Sequence, residues 1–287
     1  NDVDVNDVDV NDGIYQINSF DDFAYVKLKK ISYKHSDDYY ESLKNIVKNF
    51  RSDILSQNKN KLIIDVRNNG GGYIELADIL AYLFYDPRIN KPFFPMHYRL
   101  KASRRNLDEV LKFQEKMNQQ SNSFEIYNIN QEIKLLQQAI AENKEYTEKF
   151  PLISADLLEA FKPGFFTTYA GKEIYLLINS KCYSGCDSFV AVLKDQNLVT
   201  KIIGEDAQTG GGGSVALKFN NESENIGEKF FFQTSWKQMQ SKTENGFRLI
   251  EGEGTYADCV FPKNLEDFTT QDPIINDENY IKRVIQK

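Results

Sequence analysis

The sequence predicts an α/β protein, and three observations lead to that fold class. Strand-type and helix-type segments alternate along most of the chain. The segment 61–66 (KLIIDV) is a continuous apolar run, which is typical of a strand whose sheet is covered on both faces. Hydrophobic residues make up 41% of the 287 residues and aromatic residues 13%, enough to fill a sizeable core. We therefore expect helices packed against an apolar sheet.

Residues 1–13 form an acidic leader that we expect to be disordered. Residues 1–12 repeat the unit NDVDV and hold five aspartates without a positive charge. A charged segment without an apolar pattern cannot bury a core. Weak calcium binding is the alternative, but the repeat lacks the glycine-centred loop with a closing glutamate that such sites use. Residues 14–287 are expected to form one core.

The front of this core is expected to alternate strands and helices. A strand covers 23–31, with YVKL at its centre, and the apolar strand 61–66 follows a helix over 37–56. The turn NNGGG at 68–72 ends the second strand, and a short amphipathic helix covers 73–85. Apolar residues recur at helical spacing in the first helix, at Tyr40, Leu43, Ile46, Val47, Phe50 and Ile54.

A helical insertion is expected over about residues 105–160. This stretch is rich in Gln, Glu, Lys and Asn, so that each helix can bury one apolar stripe and expose the rest. The stripe residues include Leu107, Val110, Leu111, Phe113, Met117, Ile133, Leu136 and Ile140. We expect the insertion to cap the core and not to form a second catalytic domain.

Strand-type sequence returns after the insertion and continues to the carboxyl end. Strands are expected at 173–179 and 199–204, with a helix over 184–194 between them. The four-glycine loop 210–213 comes next. Further strands are expected at 214–219, 229–240 and 247–250, followed by a terminal helix over 279–286.

Composition excludes several classes of protein. The 42 acidic and 35 basic residues give a net charge of −7, which argues against a nucleic-acid partner. No apolar run approaches the roughly 18 residues that a membrane span needs. The histidines are only His35 and His97, so that no metal site is predicted. The three cysteines, Cys182, Cys186 and Cys259, cannot form a disulfide framework and are expected to be free, small buried hydrophobic residues.

The two glycine runs point to acyl transfer and not to nucleotide binding. Neither run is followed by the lysine of a phosphate-binding loop, and neither matches a dinucleotide fingerprint, so that no cofactor is predicted. Glycine N–H groups at a helix start can instead hold an oxyanion. Ser184 follows a strand and opens a helix, where it is either a nucleophile or an ordinary N-cap. Cys186 is the competing nucleophile.

Four motifs then carry a resemblance to a known family. They run in the order LIIDVRNNGGG, YSGCDSF, IIGEDAQTGGGGS and RLIEGEGTYADCVFP. This order resembles the serine peptidases of the C-terminal-processing and tricorn-core group, and matches the tricorn-core and chlamydial-protease branch best. The resemblance implies a crotonase-like core of the ClpP/crotonase superfamily, interrupted here by the helical insertion.

The resemblance also implies roles for individual residues. Ser184 stands at the position of the nucleophile, and the N–H of Gly185 at one donor of the oxyanion hole. The second donor comes from the glycine turn, where Gly72 is favoured and Gly71 is the alternative. Glu251 stands at the position of the acidic residue that supports the catalytic base.

The base itself is the main departure from the family pattern. Gly212 stands where one branch has a catalytic lysine, and neither His35 nor His97 matches the position of the histidine that the other branch uses. The resemblance therefore implies a serine endopeptidase that forms an acyl-enzyme and takes its base histidine from outside this segment. An inactive peptide-binding protein on the same fold and an acyl-thioester enzyme are the alternatives.

The partners and location follow from the same resemblance. The expected substrates are peptides or unfolded proteins, and a homo-oligomer remains open. Because related peptidases are often exported, we expect a secreted or periplasmic protein. The acidic leader suits a solvated linker after a cleaved signal.

Overall fold

A computed structural model describes the chain at residues 13–20, 22–32, 39–86, 92–118, 123–153, 158, 172–212, 216–220, 231–268 and 279–284. The leader apart from residue 13, His35 and Gly213 lie outside these residues. No helix in the described ranges is both long and apolar enough to cross a membrane.

A six-stranded central sheet forms the middle of the molecule. Its strands are β1 (Tyr15–Ser19), β2 (Phe23–Leu28), β3 (Lys61–Asp65), β6 (Glu173–Ile178), β7 (Lys201–Gly204) and β12 (Cys259–Val260), in that spatial order. The edge strand β1 is antiparallel to β2, and all other neighbours are parallel. In the parallel part, the carboxyl ends of the strands therefore meet at one edge of the sheet.

Helices cover both faces of this sheet. Alternate residues such as Leu62 and Ile64 face the main hydrophobic cluster, which includes α1 (Tyr39–Ser56), α2 (Ile74–Tyr82) and α5 (Gly185–Asp195). The residues between them, such as Ile63, face a second cluster that the helical residues 279–284 complete. The continuous apolar run of β3 is thus explained, because both of its faces are buried.

A second sheet and two long helices pack beside the first. Its four strands are ordered β11 (Gly246–Leu249), β10 (Lys237–Thr243), β4 (His97–Leu100) and β5 (Phe150–Pro151). A separate hairpin joins β8 (Ala216–Asn220) to β9 (Phe231–Ser235). The long helices are α3 (Arg104–Asn118) and α4 (Ser123–Ala141), and a short 3₁₀ helix spans Leu265–Asp267.

The mixed α/β class is confirmed, while several elements differ from their predicted bounds. The strands β1, β5 and β12 carry no strong apolar alternation and were not predicted as elements. Trp236 separates β9 from β10, where the sequence predicted one strand over 229–240. Helix α4 ends at Ala141, so that residues 142–153 of the expected helical stretch form turns and β5 instead.

The expectation that all three cysteines are unbonded is wrong. Cys182 and Cys186 form a disulfide, with their Cα atoms 5.4 Å apart. Both residues are fully buried, which agrees with their expected burial. The odd cysteine is Cys259, which is free and partly exposed. Counting cysteines could not show this pairing, because a short bridge depends on the local turn of the backbone at Ser184.

Candidate active site

Ser184 occupies a strained backbone position between β6 and α5. Its φ is 55° and its ψ is −124°, a conformation that non-glycine residues rarely adopt. The Ser184 N–H donates to the carbonyl of Gly212 at 2.7 Å, and the Ser184 carbonyl accepts from Ser188 N–H at 2.9 Å. The Ser184 hydroxyl makes no capping hydrogen bond to the helix. The side chain is therefore not an ordinary N-cap, which was one of the two interpretations of the sequence.

The glycine turn after β3 approaches Ser184 closely. Gly71 and Gly72 have φ values of 92° and 142°. A Cβ on Gly71 would lie 2.8 Å from the Ser184 Cβ and 2.3 Å from the Tyr183 carbonyl oxygen. A Cβ on Gly72 would lie 1.7 Å from the Ile31 carbonyl oxygen. Only glycine fits both positions.

The backbone donors of this turn are not equivalent. The Gly71 N–H donates to Asn69 Oδ1 at 2.8 Å, so that it is already engaged. The N–H groups of Gly72 and Gly185 find no acceptor among the residues that the structure describes. These two glycines are also neighbours, because a Cβ on Gly185 would lie 3.2 Å from the Gly72 nitrogen. Two adjacent free donors at the start of α5 can bind an oxyanion.

Asparagines fix the turn to the segment that carries Ser184. The Asn69 Nδ2 donates to the Leu28 carbonyl at 2.9 Å, and the Tyr183 N–H donates to the Asn69 carbonyl at 3.2 Å. Asn68 and Asn179 exchange two hydrogen bonds of 2.9 and 3.0 Å. These contacts hold the ends of β3 and β6 at a fixed separation.

A network of buried ion pairs lies next to the glycine turn, at the end of β3. The Arg67 guanidinium donates to both carboxylate oxygens of Asp65, at 3.0 and 2.6 Å, and reaches Glu205 at 3.1 Å. Burial alone would raise the pKa of Asp65, but the charges of Arg67 and Lys27 hold it well below its usual range. Asp65 therefore stays ionised and Arg67 stays paired at neutral pH.

Asp187 organises the second glycine loop. Its carboxylate accepts from Thr209 Oγ1 at 2.6 Å and from the N–H groups of Gly211 and Gly212 at 2.9 and 3.1 Å. Burial raises the pKa of Asp187, although these hydrogen bonds oppose the shift. The loop it holds supplies the Gly212 carbonyl that accepts from Ser184 N–H.

Glu251 lies against the other side of that loop. A Cβ on Gly212 would lie 2.3 Å from Glu251 Oε2, so that the carboxylate occupies the space that the glycine leaves. The Gly252 N–H donates to the Gly211 carbonyl at 2.7 Å and fixes the chain beside Glu251. Gly212 thus contacts both Ser184 and Glu251, which lie 67 residues apart in the sequence.

A cavity of about 640 Å³ opens beside Ser184 and Gly72. Its other lining residues come from α2, α3, α4 and the second sheet and include Tyr73, Glu75, Tyr98, Val110, Phe113, Ile129, Glu132, Leu152, Trp236 and Lys237. Burial raises the pKa of Tyr98 well above its ordinary value, and the charge of Glu75 adds to the shift. Its hydroxyl is therefore neutral.

No described histidine faces this cavity. His97 is on β4, but it points to the opposite face of the strand from Tyr98 and lines a separate cavity with Arg99 and Tyr146. Its Nδ1 lies 2.8 Å from the Pro95 carbonyl oxygen, and burial lowers its pKa. His97 therefore has no contact with the Ser184 side of the sheet.

The structure places Gly71 and Gly72 against Ser184 and Gly185, while Glu251 is connected to Ser184 only through Gly212, which each of them contacts. Sequence reasoning assigned no role to Asn69, Asn179 or Asp187. Asn69 stands within the motif LIIDVRNNGGG and Asn179 ends the expected strand 173–179. Asparagine side chains often replace backbone partners in turns. Asp187 stands one helical turn after Ser184 within YSGCDSF.

Comparison with known proteins gives one family match. The family model described as peptidase family S41 matches residues 22–246, well over half of the chain. Glu251 lies just beyond the matched residues. No curated protein sequence matches the chain.

Solved structures share the fold at low sequence identity. The chain is similar to mature CPAF complexed with lactacystin, with a TM-score of 0.60 and 18% identity over 95% of this chain and 53% of that one. It is also similar to a candidate peptidase from Parabacteroides merdae ATCC 43184, with a TM-score of 0.56 and 17% identity over 96% of this chain and 64% of that one. The chain thus spans about half the length of mature CPAF.

Proposed function

The chain belongs to peptidase family S41, a family of serine peptidases, and we propose on this basis that it is a serine endopeptidase with Ser184 as its nucleophile. The expected crotonase-like core is part of the proposal. The proposed substrates are peptides and unfolded proteins. The observation that carries the proposal is the position of Ser184, whose uncapped hydroxyl and strained backbone lie beside two free N–H donors.

The geometry suits formation of an acyl-enzyme. The Ser184 Oγ would attack the peptide carbonyl, and the N–H groups of Gly72 and Gly185 would bind the oxygen that becomes negative. The engaged N–H of Gly71 makes Gly72 the better choice for the second donor. The amine would leave with a proton, and water would then hydrolyse the ester.

Glu251 is proposed to orient the base and not to act as the base. Its position behind Gly212 places its carboxylate next to the loop that holds the Ser184 N–H. A carboxylate that binds an imidazole N–H fixes the ring and stabilises its charged form. We propose that the histidine comes from outside this segment, since His97 lines a different cavity.

An inactive peptide-binding protein is the second candidate. It is favoured by one observation, which is that none of the described residues places an imidazole on the Ser184 side of the sheet. A serine without a base is a weak nucleophile at neutral pH. Such a protein would bind peptides in the cavity without hydrolysing them.

An extracytoplasmic location and a homo-oligomer are also proposed. The Cys182–Cys186 disulfide supports the location, because disulfides persist mainly in oxidising compartments outside the cytosol. Reducing conditions would work against that bond.

Hydrolysis of unfolded casein by the full protein tests the peptidase function. Ser184→Ala should abolish cleavage while its Tm stays within a few degrees of the wild type, because the hydroxyl makes no capping bond. Ser188→Ala is the matched control, since it removes a buried hydroxyl without a hydrogen-bond partner one helical turn away. Cleavage that survives in Ser184→Ala would exclude Ser184 as the nucleophile. A wild type that binds peptide but cleaves nothing would establish the inactive alternative.

A further inference from the structure

Asp187 is the third residue of α5, and its carboxylate binds the second glycine loop. An acidic side chain at this position of a helix commonly reaches back to the N–H of the residue that caps the helix. Here the Ser184 N–H donates to the Gly212 carbonyl at 2.7 Å instead, and the Asp187 carboxylate accepts from the Gly212 N–H at 3.1 Å. The Gly212 residue therefore connects Asp187 to the proposed nucleophile.

Four donors converge on the Asp187 carboxylate. Its Oδ2 accepts from two successive N–H groups, that of Gly211 at 2.9 Å and that of Gly212 at 3.1 Å, an arrangement that suits an anion. Its Oδ1 accepts from the hydroxyls of Thr209 at 2.6 Å and Thr255 at 3.3 Å. Asp187 is fully buried, so that water does not compete for these donors. The carboxylate therefore fixes the loop through several contacts at once.

The same carboxylate is connected to the segment that carries Glu251. Thr209 and Thr255 bind each other twice, because the Thr255 N–H donates to Thr209 Oγ1 at 2.7 Å and the Thr209 N–H donates to the Thr255 carbonyl at 3.0 Å. Thr255 follows Glu251 by four residues, and the Glu251 carboxylate occupies the space beside Gly212. Asp187 thus contacts both the loop that binds Ser184 and the segment that holds Glu251.

We propose that Asp187 is a positioning residue, which sets the places of Ser184 and Glu251 through the second glycine loop. It acts through Gly212 and Thr255 and is not among the residues that line the cavity beside Ser184. Loss of its carboxylate should therefore impair turnover more than peptide affinity. The proposal deepens the proposed peptidase function and rests on it.

Asp187→Asn in the full protein tests the effect on turnover. An amide offers one acceptor oxygen in place of two, so that at most two of the four donors keep their acceptor. The kcat for a peptide substrate should fall at least about tenfold, while KM stays within about twofold. Asp267→Asn is the matched control, because Asp267 is also buried and accepts from Arg283 Nε at 2.8 Å, but neither residue lines the cavity. Both variants should lose thermal stability, and only Asp187→Asn should lose turnover.

Thr209 provides a second pair of variants, which decides the question if Asp187→Asn does not fold. Thr209→Val removes the hydroxyl that donates to Asp187 and should lower kcat at least about threefold without a rise in KM. Thr209→Ser retains the hydroxyl and should keep kcat. Equal kcat values for the Val and Ser variants would contradict the proposal.

Hydrogen exchange measured by mass spectrometry tests the contacts without any turnover. In Asp187→Asn, the amides of Gly211, Gly212 and Ser184 should exchange at least about tenfold faster than in the wild type, and in Asp267→Asn they should not change. A wild type that cleaves nothing would overturn the peptidase function and leave this measurement valid. Unchanged exchange in Asp187→Asn, an equal loss of kcat in Asp187→Asn and Asp267→Asn, or a change confined to KM would each overturn the proposal.

Discussion

Gly212 links the proposed nucleophile to the acidic residue that would support its base. Its carbonyl accepts from Ser184 N–H, and its missing side chain leaves room for the Glu251 carboxylate. The position where a related branch has a catalytic lysine is therefore occupied by a carboxylate from another segment.

Replacing Gly212 with alanine should displace Glu251 and lower the activity at least about tenfold. The new Cβ would lie 2.3 Å from Glu251 Oε2, and the carboxylate is the part that can move. Gly246→Ala is the matched control. Gly246 also has a positive φ, of 122°, but nothing lies within 4 Å of an added Cβ, so that the control measures the backbone cost alone. Equal activity in the two variants would show that the position of Glu251 does not matter for the activity.

Glu251→Gln should lower kcat and leave KM unchanged. A carboxylate that orients the base acts mainly in the transition state, so that its loss reduces turnover and not peptide affinity. Glutamine keeps the size of the side chain and an oxygen for the weak contact with Met239 N–H at 3.5 Å. Steady-state kinetics on a peptide substrate would check this. A rise in KM alone would instead place Glu251 in substrate binding.

Asp78 gives a prediction about stability and pH. Asp78 is fully buried on α2, and its Oδ2 has no partner among the described residues. Burial raises the pKa of Asp78 well above the usual range, although the hydrogen bond from Met96 N–H opposes the shift. The folded state thus holds a proton that the unfolded state releases above about pH 4. The contribution of Asp78 to the free energy of unfolding is therefore complete below about pH 4. It is lost as the pH rises toward the raised pKa of the folded state.

Asp78→Asn should remove this pH dependence. The amide oxygen can still accept from Met96 N–H, and the side chain no longer titrates. Above about pH 4, the free energy of unfolding of the variant should rise relative to that of the wild type, by up to about 1.4 kcal/mol per pH unit. Denaturant unfolding across a pH series measures the difference, with Asp108→Asn on the exposed face of α3 as control. Parallel pH profiles for wild type and Asp78→Asn would contradict the protonated carboxyl.

At the scale of single residues, motif order led to the proposal of Ser184, Gly72 and Glu251 as site residues. It was not enough to separate Gly72 from Gly71, because that choice depends on the hydrogen bond from Gly71 N–H to Asn69. The sequence alone also could not predict the roles of Asp187 and of the disulfide. Both depend on contacts that form only when the backbone turns at Ser184.

Among the elements, the start of α5 depends on the Cys182–Cys186 bridge. The bridge encloses Tyr183, Ser184 and Gly185, and so holds the turn that carries the proposed nucleophile. The Gly210 N–H donates to the Cys182 carbonyl at 2.9 Å, so that the bridge also contacts the second glycine loop. Opening it should therefore loosen the hydroxyl and the oxyanion donors together.

The double variant Cys182→Ser, Cys186→Ser should lose both activity and thermal stability. The chain-entropy relation gives about 2 kcal/mol for so short a loop. Thermal unfolding and casein cleavage, each with and without a reducing agent, would show the effect. Cys259→Ser is the control, because Cys259 is free and partly exposed. A double variant as stable and active as the wild type would show that the bridge does not hold the site.

The elements with strong periodicity were the ones that the sequence predicted. Helix α1, strand β3 and strand β6 were expected within one or two residues of their bounds, because burial on one stripe or on both faces leaves a clear pattern. The short strands β4, β5 and β12 owe their form to their neighbours in a sheet. Trp236 interrupts one expected strand and lines the cavity beside Ser184, a tertiary contact without a local signal.

On the scale of the whole molecule, the site lies where several separate segments meet. The carboxyl ends of β3 and β6 bring the glycine turn and the Ser184 motif together. The turn after β11 adds Glu251, and residues of the second sheet line the cavity. Helices α3 and α4 share the main hydrophobic cluster with the central sheet, through Val110, Ile129 and Leu136. The proposed helical insertion therefore contributes both to the cavity and to the core.

The origin of the base gives a prediction for the whole molecule. Replacing both His35 and His97 with alanine in the full protein should leave casein cleavage unchanged. The two are the only histidines in these 287 residues, and His97 faces away from Ser184. Loss of cleavage in the double variant, with folding retained by circular dichroism, would place the base within this segment.

Covalent labelling of Ser184 tests the central claim most directly. The full protein is treated with a fluorophosphonate, which reacts with activated serines, and the modified peptide is located by mass spectrometry. We predict one adduct, on Ser184, and none in Ser184→Ala. An unlabelled Ser184 in a protein that cleaves casein, or an adduct on another residue, would contradict the assignment of Ser184 as the nucleophile.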